Sequence, residues 1–268
     1  MVRCLYLLPL TCCVGEVESV TQLHDTLYVL LVRSPLILRF DAVTHHRLQD
    51  IEVTDMMSAH DIAACETTSS IYVADWQCVW RVSSDGADIQ HWLPRLPSEE
   101  SFHPWTVSVR SGRLLMTPAD SGRLIQFSAE GAELRQVPLP DDMKPIQSVE
   151  SPAGTFVVSH RDAAEMDRGQ VSEVDGDGVV LCRFGGSRLP SYSWPEHLEV
   201  ESRGNILVSD TYGCRVLLLD ARLMLRRVIV DEDQLNHKAV RGLCFVERAG
   251  LLLVGLDQRV ALFQLLSR

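Results

Sequence analysis

Short apolar triplets recur along this chain at a nearly constant spacing, each bounded by polar turn residues. Such short apolar runs between turns are typical of β-strands. The last residues of successive triplets stand 42 to 50 positions apart. The triplets are Leu27-Tyr28-Val29, Ile71-Tyr72-Val73, Leu114-Leu115-Met116, Phe156-Val157-Val158, Ile206-Leu207-Val208 and Leu252-Leu253-Val254. A period of this length is typical of four-stranded blades, so six units predict a six-bladed β-propeller.

A second apolar run and an acidic or Gly-containing turn follow most triplets. The turn is Ser84-Asp85-Gly86 in the second unit and Ala129-Glu130-Gly131 in the third. Gly supplies the positive φ that such hairpin turns need. A more polar run comes next, as in residues 132–137, which predicts an outermost strand facing water. The predicted fold is therefore all-β, with six four-stranded antiparallel blades in a single domain over residues 1–268.

The last unit, from about residue 240, has room for only three strands. A three-stranded blade would leave an exposed edge, and residues 2–8 form a strand-like run without a partner of its own. We therefore expect the N-terminal strand to complete the last blade and close the ring. The alternative is a secretory signal over residues 1–15, since Arg3 precedes an apolar run. The first hypothesis predicts a cytoplasmic protein and the second a secreted one.

Unit five carries the sequence Val208-Ser209-Asp210-Thr211-Tyr212-Gly213-Cys214-Arg215-Val216, preceded by Trp194-Pro195. This sequence resembles the NHL repeat, in which an apolar V-x-D strand is followed by a turn and R-V. Unit two is similar, with Asp75 and Arg81, whereas units one and four lack the Asp. The resemblance implies an NHL-type propeller like those of RING-type ubiquitin ligases and of uncharacterised animal NHL proteins. It also implies that Asp75 with Arg81, and Asp210 with Arg215, brace the blades structurally.

The composition narrows the classes of partner. The chain has 25 Lys and Arg against 36 Asp and Glu, a net charge of −11, and no basic cluster. Such a surface repels nucleic-acid phosphates and anionic lipid. No apolar run approaches the roughly 18 residues of a membrane helix, and the eight cysteines lack the paired spacing of a zinc site. We expect free thiols, no nucleic-acid or membrane partner, no metal or other cofactor, and a monomer.

Aromatic, His and Arg residues cluster in the loops that should open on one face of the ring. Aromatic residues and Arg dominate protein-binding hot spots, so we expect a non-catalytic scaffold that binds a protein or peptide there. A longer loop in unit four, residues 159–169, should lie on the same face. The expected partner-binding residues are His60, Trp76, His103, Trp105, His160, Arg161, Trp194, His197 and Tyr212.

Two alternatives remain open. Some NHL propellers bind RNA, but they need a basic face. A calcium-dependent hydrolase or lactonase would gather acidic and Asn ligands at the channel, yet the chain has only Asn205 and Asn236. The acidic candidates are Asp61, Glu196, Asp210 and Asp257. His60-Asp61 also suggests a general base, but the sequence places no nucleophile beside it, so we expect no catalytic residue.

Overall fold

A computed structural model describes residues 2–10, 15–93, 103–119, 121–162, 169–185 and 193–265. These residues form 24 β-strands, beginning with β1 (Val2–Pro9), and a short 3-10 helix, Glu247–Ala249. The strands make six four-stranded sheets, and all their pairings are antiparallel. The prediction of an all-β, six-bladed propeller is therefore confirmed. Within the described ranges, no helix has the length and apolar character needed to cross a membrane.

In every blade the first strand lies at the centre of the ring, where the first strands of neighbouring blades contact one another. Blade one contains β2 (Val17–Leu23), β3 (Thr26–Leu31), β4 (Leu36–Asp41) and β5 (Ile51–Glu52). Blade two contains β6 (Ala59–Cys65), β7 (Ser70–Asp75), β8 (Val79–Ser83) and β9 (Ile89–Leu93). Blade three contains β10 (Pro104–Arg110), β11 (Arg113–Pro118), β12 (Arg123–Ser128) and β13 (Glu133–Pro138).

The second half of the ring repeats this order. Blade four contains β14 (Met143–Glu150), β15 (Phe156–Asp162), β16 (Gly169–Val174) and β17 (Val180–Gly185). Blade five contains β18 (Pro195–Val200), β19 (Ile206–Asp210), β20 (Arg215–Leu219) and β21 (Leu225–Val230). Blade six contains β22 (Gly242–Val246), β23 (Leu251–Leu256), β24 (Arg259–Leu265) and β1.

The two ends of the described chain meet in blade six. Strand β1 pairs antiparallel with β24, from Val2 opposite Leu265 to Pro9 opposite Arg259. The Leu8 side chain is buried in the seam between the last and first blades. Because β1 covers the open edge of β24, it completes the fourth strand of the blade. Ring closure by the N-terminal strand is thus confirmed.

Hydrophobic seams between blades hold the ring together. The described residues form six buried apolar clusters, each joining two neighbouring blades. The triplet strands contribute to every cluster, and every residue of β7 and β19 is buried. In contrast, most of the outermost strand β13 is exposed. The apolar-to-polar gradient along each unit therefore reflects a radial gradient of burial.

The turns agree with the sequence pattern. Gly86 and Gly131 adopt φ of 80° and 91° in the turns that lead to the outermost strands of blades two and three. An L residue is strained in this left-handed region, whereas Gly adopts it freely.

The six described cysteines are all unpaired, with Cys65 and Cys244 buried but Cys4 exposed. Cys12 and Cys13 lie outside the described residues.

The expected ion pair of unit five is present. Asp210 and Arg215 lie opposite each other on β19 and β20, and their side chains approach to 2.9 Å. Asp210 is fully buried and also accepts hydrogen bonds from the backbone N–H groups of Trp194 and Gly213. The pair therefore ties the hairpin of blade five to the chain that enters the same blade.

The corresponding pair of unit two is not formed, so that prediction is wrong. Asp75 instead accepts hydrogen bonds from the backbone N–H groups of Ser58 and Trp76, at 2.8 and 2.7 Å. Arg81 lies opposite Tyr72 and donates to Ser70 Oγ at 3.2 Å. The reason is the length of the turn. Four residues separate β19 from β20, whereas the turn between β7 and β8 is shorter, so Arg81 does not lie opposite Asp75.

Candidate functional site

A ring of six side chains surrounds one end of the central channel. In five blades the register of the innermost pair shifts within the first half of the first strand, and a residue at each shift lies at the channel mouth. β-Bulges of this kind re-aim side chains next to functional sites. We call the six residues the mouth ring: Glu18, His60, Trp105, Ile146, Glu196 and Arg241. Arg241 precedes β22 in the blade without a shift, and its backbone N–H donates to Gly255 at 2.8 Å.

The mouth ring combines acidic and basic side chains around a cavity of about 50 Å³. His60 Nδ1 lies 3.9 Å from Glu18 Oε1. Glu196 Oε2 accepts a hydrogen bond from Thr211 Oγ1 at 2.8 Å, which fixes that carboxylate. Arg241 is half-exposed and also lines this cavity, while its guanidinium lies 3.5 Å from Glu16. A base, two carboxylates and a cation therefore face one small space.

His60 is the most constrained member of the mouth ring. Its imidazole stacks on Trp105 with a centroid distance of 4.2 Å and meets Trp76 edge-on at 6.0 Å. Its Nε2 atom is buried and has no hydrogen-bond partner among the described residues. A buried polar atom without a partner costs free energy, so the Nε2 atom of His60 requires an explanation. The orphaned nitrogen marks His60 as a candidate for proton transfer.

A belt of hydrogen bonds crosses the channel beneath the mouth ring. Asp61 accepts from Ser19 Oγ at 2.8 Å and from the backbone N–H of Val107 at 3.1 Å. Gln147 Nε2 approaches the same carboxylate at 3.4 Å, and Gln147 Oε1 accepts from the backbone N–H of Leu198. The belt thus joins five blades, and burial raises the pKa of Asp61. It forms the floor of the mouth cavity.

The channel continues below the belt as a second cavity of about 280 Å³. Glu150 lies there and binds Arg113 Nη2 at 2.6 Å. Burial, together with the nearby charge of Asp61, raises the pKa of Glu199 to about 8. Burial also raises the pKa of the Cys244 thiol to about 12. The described lining of this cavity contains no histidine.

The predicted partner-binding residues largely share the mouth face. His60, Trp105 and His197 line the mouth cavity. Trp76 stacks on His103 at a centroid distance of 4.5 Å. A second aromatic group lies on blades four and five: the Arg161 guanidinium sits 4.1 Å from the Trp194 ring, which is 5.2 Å from Tyr212. These side chains form two groups, and their role in binding a partner stays a prediction.

His160 is the exception. It is 1% exposed, and its Nε2 lies 2.8 Å from Ser172 Oγ inside blade four. Burial lowers the pKa of His160 to about 4, so it is neutral at pH 7. Successive residues of a strand point to opposite sides, so Arg161 turns outward where His160 turns inward. Its assignment to a binding surface is therefore wrong, and residues 163–168 of the same loop lie outside the described residues.

The acidic residues considered as calcium ligands do not converge. Asp61 belongs to the belt, Asp210 to the ion pair with Arg215, and Asp257 lies 3.1 Å from Lys238. Across the described ranges, no three His, Cys, Asp or Glu side chains come together as a metal-ligand group. Each carboxylate is already held by its own partners, so these residues do not fit a calcium ion.

Three members of the mouth ring, Glu18, Ile146 and Arg241, were not predicted from the sequence. A signal for them was present, because each mouth-ring residue stands 11 to 13 positions before the last residue of its triplet. This constant spacing is difficult to recognise in the sequence, because the six mouth-ring residues share no chemical property. They come together only because the start of the innermost strand of each blade lies at the same end of the channel.

Many solved structures resemble this chain, whose sheets define the class of six-bladed propellers. One is a gluconolactonase from Xanthomonas campestris, 14% identical, with a TM-score of 0.73, covering 96% of this chain and 89% of that one. A streptogramin B lyase is 9% identical, with a TM-score of 0.68 and coverage of 98% and 97%. No family model matches the sequence, and no curated protein matches it.

A third similar structure is virginiamycin B lyase from Staphylococcus aureus with quinupristin, in a catalytically inactive variant whose altered residue is a histidine. It is 12% identical, with a TM-score of 0.67 and coverage of 94% and 82%. Such low identities establish the fold alone. Nevertheless, these neighbours are enzymes, and the expectation of a non-catalytic scaffold is corrected on that ground. They favour the alternative hydrolase or lactonase hypothesis instead.

Proposed function

We propose that this protein is an enzyme that hydrolyses a lactone or a related ester at the mouth of the propeller channel. The observation that carries the proposal is His60, whose buried Nε2 lacks a partner among the described residues while Nδ1 faces Glu18. Both the gluconolactonase and the lyases are built on the same fold, which supports an active site on this type of ring. The mouth cavity is the place where base, acid and cation meet.

In the proposed mechanism, His60 acts as the general base. Glu18 orients the imidazole through Nδ1, and the 3.9 Å separation shortens when substrate binds, as catalytic contacts often do. Nε2 then removes a proton from water while the water oxygen attacks the carbonyl carbon of the ester. The carbonyl electron pair moves to oxygen, which forms a tetrahedral oxyanion. The C–O bond to the alcohol breaks, and the proton held by His60 passes to the leaving oxygen.

Arg241 is proposed to stabilise the oxyanion. Arg241 lines the mouth cavity, and its guanidinium is paired with the half-exposed Glu16, which lies outside the cavity lining, at 3.5 Å. A loosely paired cation can turn toward a negative charge that develops in the transition state. Glu196, held by Thr211, faces the same cavity and can orient the attacking water. The two side chains thus divide the work of charge stabilisation and positioning.

The proposal routes no step through a metal. A calcium-dependent reaction would need several oxygen ligands around one point, and the described carboxylates are instead dispersed among separate partners. Activity that survives EDTA treatment is the expected result, and its loss on chelation would contradict this part of the proposal.

The finer family assignment also stays a proposal. Similar capping by Asp75 and Asp210, each accepting backbone N–H bonds from the segment that enters its blade, supports an NHL-type repeat. A monomeric state and a cytoplasmic location remain predictions from the sequence. The absence of nucleic-acid or membrane partners is also a prediction, and the acidic composition supports it.

The test measures ester and lactone hydrolysis by the purified protein. We expect acid release in a pH-stat from glucono-δ-lactone or from aryl acetates, and a loss of about a hundredfold or more in kcat for His60→Gln. His46→Gln is the matched control, because His46 is exposed and lies on the loop after β4, at the other end of blade one. Wild-type rates no higher than those of His60→Gln would refute the proposal.

A further inference from the structure

The size of the mouth cavity restricts what can enter it. The cavity measures about 50 Å³, whereas sites that enclose a small-molecule ligand span roughly 300–1,000 Å³ and one water occupies about 30 Å³. A cavity this small admits one functional group and not a whole substrate. If the proposed function holds, most of the substrate must therefore lie outside, on the mouth face.

Trp76 provides a surface for that outer part. Its side chain is 43% exposed although it is a large aromatic residue. It is held in place by the His103 ring, which stacks on it at 4.5 Å with an interplanar angle of 20°. His103 is itself fixed, since Nδ1 lies 3.1 Å from the carbonyl oxygen of Trp76. A rigid exposed ring loses little conformational entropy when a ligand stacks on it.

The position of Trp76 separates it from other aromatic residues. Trp80 is buried and serves packing between blades, but packing does not explain a ring that exposes almost half of its surface. Tyr6 is a close counterpart on the outer edge of the ring: it is 41% exposed and stacks on His45 at 4.5 Å. What distinguishes Trp76 is continuity with the site, because its ring lies 6.0 Å from the His60 ring.

We infer that the substrate carries a planar aromatic group that stacks on Trp76 while its ester or lactone carbonyl enters the mouth cavity beside His60. This inference rests on the proposed function and adds the class of substrate. A compact, fully polar lactone would leave Trp76 uncovered, whereas an aryl ester or an aromatic-fused lactone would cover it and the cavity together.

The experiment separates binding from turnover. Naphthalene-2-carboxamide, a planar probe without an ester, is titrated into wild type, Trp76→Ala, Trp76→Phe and Tyr6→Ala, and its Kd is measured by calorimetry. KM is measured in parallel for 2-naphthyl acetate and for ethyl acetate. Thermal unfolding checks that each variant is folded. If Trp76→Ala is unstable, Trp76→Phe still tests the role of the Trp76 ring.

We expect Trp76→Ala to raise the Kd of the amide about three- to tenfold, and to raise the KM of the naphthyl ester relative to ethyl acetate by the same factor. Trp76→Phe should recover much of the loss, and Tyr6→Ala should match wild type. An unchanged Kd, or an equal loss in Tyr6→Ala, overturns the inference even where ester turnover is normal. Trp76-dependent binding without any turnover supports the aromatic surface and refutes the proposed hydrolase instead.

Discussion

Replacing Asp61 by Ala tests the belt that joins the blades across the channel. The carboxylate is 3% exposed and accepts from Ser19, Val107 and Gln147, which belong to three other blades. Alanine removes these contacts and leaves buried donors without an acceptor. The backbone N–H of Val107 has no freedom to reorient, whereas the Ser19 hydroxyl can rotate. The damage should therefore concentrate on the donors that cannot turn.

The magnitude follows from those donors. Each buried donor left unsatisfied costs about 1–3 kcal/mol, so the two backbone donors to Asp61, the N–H groups of Ile62 and Val107, cost roughly 2–6 kcal/mol together. Part of this loss is offset, because burial disfavours the ionised carboxylate, as the raised pKa of Asp61 indicates. We expect a net loss of about 3 kcal/mol in the free energy of unfolding at pH 7.

Urea unfolding at 25 °C measures this loss from the midpoint and the m-value. A double-mutant cycle with Ser19→Ala should show a coupling of about 1 kcal/mol, since the two side chains share a hydrogen bond. Asp41→Ala is the control: Asp41 also accepts several bonds, but all come from Val43 and Thr44 in an exposed turn. A loss below about 1 kcal/mol, or one no larger than in Asp41→Ala, would show that the belt does not couple the blades.

Two further predictions concern the lower channel and ring closure. The pKa of Glu199 is raised to about 8 from 4.5, so between these pH values the folded protein keeps a proton that the unfolded chain has lost. The free energy of unfolding should therefore fall as the pH rises from about 4.5 to about 8. Glu199→Gln should flatten this decline in a series of urea titrations, and an unchanged slope would contradict the prediction. Deleting β1 uncovers the edge of β24 and removes the buried side chain of Leu8. The Tm measured by calorimetry should therefore drop by about 10 °C. A deletion variant that is soluble and as stable as the wild type would disprove closure of the ring by this strand.

The fold was predictable because its determinants are local and repeated. The triplet strands can be recognised in the sequence as apolar runs, and Gly86 and Gly131 mark turns that need a positive φ. The site was only half predictable. His60 and Trp105 stood out in the sequence as polar or aromatic residues, whereas Glu18 and Arg241 are ordinary charged residues until the folded ring brings them to one mouth.

The same limit explains the errors. Arg81 follows its Asp at a distance in sequence close to that of Arg215, yet a shorter turn places it opposite Tyr72 and away from Asp75. His160 and Arg161 are adjacent in the chain, but the alternation of β15 buries the first, whereas the second is partly exposed and lies over the Trp194 ring. Register and strand direction thus decide which of two neighbouring residues is available for function.

By itself the sequence determined the number of blades, their strand order and the closing role of the N-terminal strand, because burial period and turn chemistry are written locally in each unit. The chemistry of the mouth was decided only in the folded ring. Successive mouth-ring residues stand some forty to fifty positions apart in the sequence. They become neighbours only because the blades converge on a common axis. Proton transfer depends on distances of a few ångströms, and such distances between remote residues exist only after the ring has closed.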